Sequence, residues 1–192
     1  MMINILKTLP WYFVGLGTLG IPAILLIVSL LVPVDAENYF FGSDWVANSF
    51  LDFAGVEEDG QDRFSTTSEF NIMMAWLNIN LLIVTFVFSL GWSIGSHFLN
   101  IDEPGKAKFF GLPWIVISAL CIGAIVVVCL IVLTSSIFYV SQYVTTDSTF
   151  NIIIISAVFY GLMYWIAVIL GTARQARSAV LLANKLPARN FL

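Results

Sequence analysis

Four long apolar stretches, at about 11–34, 71–98, 114–140 and 151–172, contain no Asp, Glu, Lys or Arg. This constrains the fold more tightly than any other feature of the chain. A hydrocarbon core of roughly 30 Å is crossed by about 20 helical residues at about 1.5 Å rise each, and every stretch meets that length. Inside lipid the backbone must satisfy its own N–H and C=O groups, which leaves the helix as the form for such segments. The expectation is an all-α integral membrane protein with four transmembrane helices, one four-helix unit over residues 1–192. Composition excludes the alternative: with 59% apolar and 10% charged residues there is too little polar surface to cover a soluble domain.

Charge outside the stretches sets an orientation. Lys7 precedes the first, Lys106 and Lys108 lie between the second and third, and Arg174, Arg177, Lys185 and Arg189 follow the fourth. The opposite connections carry Asp35, Glu37, Asp44, Asp52, Glu57, Glu58, Asp59, Asp62, Glu69 and Asp147, with Arg63 as the one base. Lysine and arginine are retained on the cytoplasmic side during insertion. Both termini and the connection at 99–113 are therefore expected in the cytoplasm, with the loop at 35–70 outside, in a multi-pass protein of a bacterial cytoplasmic membrane. A cleaved secretory signal is disfavoured, because the first apolar run is longer than the about 7 to 15 residues of a signal core.

Local signals mark the expected boundaries. Trp11 and Tyr12 would sit at the headgroup level, and Pro22 would kink the first span near Leu19 to Ile21. Thr66 and Glu69 have the spacing of a capping box for the second span. Pro113 suits the first turn of the third, where a missing amide hydrogen costs nothing. After the fourth, residues 174–186 keep a helical pattern with Ala176, Val180 and Ala183 on one side, so a cytoplasmic helical tail over 173–192 is expected. Its Arg174, Arg177, Lys185 and Arg189 form a basic membrane-surface segment.

The loop at 35–70 is too rich in large apolar groups for a solvated linker. Ser43 can cap a short helix from Asp44 to about Ala54, on which Trp45, Phe50, Leu51 and Phe53 form a docking surface. The loop reads as a lid over the outer helix ends, a partner-binding element or a ligand-binding cap. The acids at 57–62 resemble a calcium loop only superficially: with Gly60 at the turn position, Gly55 and Thr66 fall where ligands are required.

No chemistry-bearing constellation emerges. His97 is the single histidine, so no multi-histidine metal site or bis-histidine haem can be built from this chain; it reads as a polar residue at the end of the second span. Cys121 and Cys129 both lie within the third span and cannot brace the outer loops. Thr134, Ser135 and Ser136 have no neighbouring base, and no phosphate-cradling glycine loop is present. The spans hold no acid or base for a proton relay. The chain is expected to be no enzyme, with no cofactor, no bound metal and no nucleic-acid partner.

The spans do carry helix-packing surfaces. Gly91 with Gly95, Ala119 with Gly123, Ala157 with Gly161 and Ala167 with Gly171 are small residues four apart, a spacing that lets backbones approach. Such pairs serve either a subunit interface or packing inside one chain. Asn78, Thr85 and Ser89 share one face of the second span near Trp92, a stripe suited to a neighbouring helix or a wet pore wall. The leading functional expectation is a noncatalytic structural or accessory subunit of a larger membrane complex, whose partners are the lipid bilayer and other subunits or copies of itself. The alternatives are a homo-oligomeric channel or pore, and a membrane immunity or exclusion protein.

Overall fold

The structure, a computed structural model, describes residues 2–31, 63–99, 107–138, 141, 144 and 146–183. Their regular structure is all helical, and four helices are long and apolar enough to cross a membrane. These are α1 (Met2–Leu31), α2 (Arg63–Gly95), α3 (Ala107–Leu133) and α4 (Thr146–Gly171). Short 3-10 helices, Ser96–Phe98 and Arg174–Ala179, follow α2 and α4.

The apolar stretches mark the spans, but the helix ends depart from them. α1 begins at Met2 and stays helical through Pro10 and Pro22. α2 begins at Arg63, so Thr66 lies inside the helix and is not its cap. A helix start is decided by where the backbone first turns, and here two polar turns precede the apolar run. α3 begins at Ala107, which makes Pro113 an interior residue that leaves the Phe109 carbonyl without its helical donor. The same helix ends at Leu133, well short of 140. The Thr134 amide keeps its bond to the Leu130 carbonyl at 3.0 Å, the Ser135 amide turns to the Val132 carbonyl at 3.4 Å, and Ser135 Oγ accepts from the Ile137 amide at 3.3 Å, so the backbone leaves the helical pattern at Ser135.

The expected helical tail also needs correction. The α-helix stops at Gly171; Ala173 is extended, with ψ 146°, and a 3-10 helix runs over Arg174–Ala179. Val180 is again extended, and Leu182 takes a left-handed conformation with φ 69°. The amphipathic face nevertheless persists: Ala176, Val180 and Ala183 are all buried. Burial of that face follows from the side chains, whereas the helix type is decided by what the backbone can bond to.

The chain divides into two compact units, each assembled from a portion of every long helix. The first comprises Met1–Gly20, Ile83–Gly123 and Tyr160–Leu192. Its buried residues are mainly aromatic, small or hydroxylic, among them Tyr12, Trp92, Tyr160, Ala167, Ser89, Ser93 and Thr172, with Met163 and Val168 beside them. The second comprises Ile21–Leu82 and Ala124–Phe159, and its core is mainly aliphatic and sulfur-bearing, with Ile27, Met73, Leu77, Leu81, Ile125, Cys129 and Ile152. Among the described residues the first unit holds Lys7, Lys108, Arg174 and Arg177 and no acid, while the second holds Glu69, Asp147 and Arg63.

Candidate functional site

A polar seam runs through the first unit, built by hydroxyls that α2 presents at helical spacing. Ser89 Oγ donates to the Thr85 carbonyl at 2.6 Å, and the Tyr12 hydroxyl lies 3.1 Å from Ser89 Oγ and 3.2 Å from the Phe86 carbonyl. With the serine proton committed, Tyr12 is the donor. One turn on, Trp92 Nε1 donates to Thr172 Oγ1 at 2.9 Å, and the Thr172 hydroxyl donates to the Val168 carbonyl. Ser93 Oγ donates to the Gly171 carbonyl at 2.9 Å. The Ser93 bond satisfies a carbonyl that the end of α4 would otherwise leave open, whereas the Val168 carbonyl already accepts from the Thr172 amide at 2.9 Å.

The seam continues into the segment after α4. Ser96 Oγ donates to the Ser93 carbonyl at 2.8 Å and accepts from the Ala173 amide at 3.0 Å. Gln175 Nε2 donates to the His97 carbonyl at 2.6 Å. His97 Nε2 lies 2.8 Å from Thr8 Oγ1, which also lies 3.0 Å from the Ile5 carbonyl. His97 is therefore a link between α1, the end of α2 and the 174–179 helix. Every group named has a partner and none is a paired acid and base, so the seam is built to hold α1, α2 and α4 together.

The polar stripe expected on α2 is buried within the chain: in the second unit Asn78 Nδ2 donates to the Met74 carbonyl at 2.7 Å, and in the first Thr85 and Ser89 are fully covered. Tyr12, expected at the headgroup level, is likewise fully buried.

Small residues separate into two groups. At Gly15 an added Cβ would stand 2.8 Å from Ala167 Cα and from the Ile166 carbonyl oxygen, so the backbones of α1 and α4 touch there. A Cβ at Gly171 would meet Ser93 Oγ at 2.9 Å and Tyr12 Cβ at 3.0 Å. Ala167 and Gly171 are thus used inside the chain. At Gly91, Gly95, Gly123 and Gly161 an added Cβ would have no atom of a neighbouring described segment within 4 Å. Ala119 is exposed and Ala157 half-buried. α3 buries Cys121, Ile125, Cys129 and Leu133, and Gly123 is two residues, or about 200° of turn, from that row at about 100° per residue.

Gly15 is the packing residue that small-residue spacing misses, because Leu19 stands four residues on. Of the basic segment, Arg174 is exposed and Arg177 half-buried, while Lys185 and Arg189 lie outside the described residues. So do Trp45, Phe50, Leu51 and Phe53, the helix expected at 44–54 and the acids at 57–62. Among the described residues no three His, Cys, Asp or Glu side chains converge. No protein-family model, curated protein or solved structure matches the chain.

Proposed function

We propose that the protein is a noncatalytic accessory subunit of a larger membrane assembly, docking through helix faces that its own fold leaves uncovered. The observation that carries this reading is the open space over Gly91, Gly95, Gly123 and Gly161, with Ala119 and Ala157 beside two of them. Where the chain needs close approach it uses Gly15, Ala167 and Gly171. In lipid, apolar contact alone supplies little drive for helix association, and small residues favour it by letting backbones approach. α3 is the least covered span, with 17% of its apolar window buried against 44% for α2.

The reading includes a topology. Both termini face the cytoplasm, and the loop at 35–70, with Trp45, Phe50, Leu51 and Phe53, faces the other side of a bacterial cytoplasmic membrane. What supports it is the distribution of charge: among the described residues Lys7, Lys108, Arg174 and Arg177 lie in one unit, and Glu69 and Asp147, with Arg63 as the one base, in the other.

The test is purification in mild detergent followed by mass analysis of the intact species. Distinct polypeptides at a fixed ratio are expected. A ring of identical chains would replace the reading with a channel, and a lone monomer would remove it.

A further inference from the structure

The segment after α4 is held tightly and yet carries a buried donor that no described residue bonds. Ala173 and Gln175 bond to Ser96 and His97, the Val180 amide donates to the Arg177 carbonyl at 3.2 Å, and Trp165 Nε1 donates to the Leu181 carbonyl at 3.4 Å. Trp165 belongs to α4 a turn and more before its end, so the segment folds back along the span. Ala176, Ala179, Val180 and Ala183 face inward, while Leu181 and Leu182 are 62% and 41% exposed. Leu182 holds its left-handed φ of 69° at a cost of about 1–2 kcal/mol, a conformation that non-glycine residues seldom keep without a constraint.

Arg177 Nε is buried and has no hydrogen-bond partner among the described residues. Those of its unit include no acid; Asp102 and Glu103 of the same unit lie outside them. Burial, and then the like charge of Arg174, hold the guanidinium below its ordinary range. Trp114 Nε1 is a second buried donor with no partner. It lies one turn along α3 from Gly111, where an added Cβ would stand 3.8 Å from the Ala179 carbonyl oxygen. A buried donor without a partner is costly, and a guanidinium is shaped to bind a phosphate through two parallel N–H groups.

We propose that the 172–183 segment is a binding site for an anionic phospholipid, with Arg177 on the phosphate, Arg174 at its rim, and Leu181 and Leu182 beside the acyl chains. The two outward leucines favour a lipid over a soluble phosphate, which would have no use for them. The site is independent of any protein partner and of which way the chain faces.

The test uses the full chain in phosphatidylcholine nanodiscs, with and without phosphatidylglycerol, read by thermal unfolding and by lipid retained in native mass spectrometry. Wild type is expected to retain phosphatidylglycerol over phosphatidylcholine and to unfold at higher temperature with it. Arg177→Gln should lower that preference about fivefold, the worth of one basic residue at an anionic surface. Arg177→Lys keeps the charge but lacks Nε, and should lose most of the preference as well. Retention by Arg177→Lys equal to wild type would reduce the site to ordinary surface charge and overturn the proposal. No preference in wild type would overturn it whatever the variants do, and inorganic phosphate matching phosphatidylglycerol in stabilising the protein would overturn the lipid assignment.

Discussion

Gly15 and Gly91 lie in long apolar helices of the same kind, and one methyl group separates their roles. At Gly15 a Cβ would press on the backbone of α4 at 2.8 Å, and backbone cannot swing aside. Gly15→Ala is expected to destabilise the protein by about 1–3 kcal/mol, the usual cost of overpacking, in unfolding titrations from mild detergent. Gly91→Ala and Gly161→Ala meet open space and should leave the titration unchanged or shift it slightly toward stability, through the better helix propensity of alanine. Trp92 and Thr172 offer a second comparison. A double-mutant cycle with Trp92→Phe and Thr172→Val should return a coupling of about 0.6 kcal/mol, the average for hydrogen bonds between membrane helices. Which small residues are spent inside the chain could not be read from spacing, because that depends on which face of one helix meets which face of another. Gly15 carries no sequence signature at all: its partner, Ala167, is on a helix far along the chain.

At the scale of elements, the spans were legible and their ends were not. Absence of charge over about 20 residues is a strong signal because lipid rejects charge at every position of a span. A helix end depends instead on a few local hydrogen bonds. Ser135 takes the Ile137 amide just past the end of α3, and Ser93 and Ser96 meet the end of α4 from outside, by bonding Gly171 and Ala173. The inward face of the segment after α4 was visible in the spacing of Ala176, Val180 and Ala183, but its 3-10 form was not, since its partners are Ser96 and His97, far along the chain in the 3-10 helix that follows α2. Ser96→Ala combined with Gln175→Ala should therefore release this segment alone. Faster hydrogen exchange over 173–183 and quicker tryptic cleavage after Arg177 are expected, with exchange in α1 to α3 unchanged. Loss of protection throughout the chain would show that the seam holds more than this segment.

Across the whole molecule, the fold divides its small residues between internal contacts and faces that no described residue covers. Gly91→Leu or Gly161→Leu fills space that the chain itself does not use. Each should leave monomer stability intact while reducing co-purification of partner chains, measured by the same mass analysis as the wild type. Loss of stability without loss of partners would return those faces to lipid.

The central claim is that four helices cross the bilayer and put the acidic loop and the basic tail on opposite sides. Cys121 and Cys129 are fully buried in α3, so a background without them, Cys121→Ala and Cys129→Ala, disturbs no exposed group. Single cysteines placed there as Asp59→Cys and Arg189→Cys can be labelled in intact cells with a membrane-impermeant maleimide. Labelling of Asp59→Cys in intact cells, with Arg189→Cys labelled only after permeabilisation, is the expected result. Labelling of both from the same side would contradict the account.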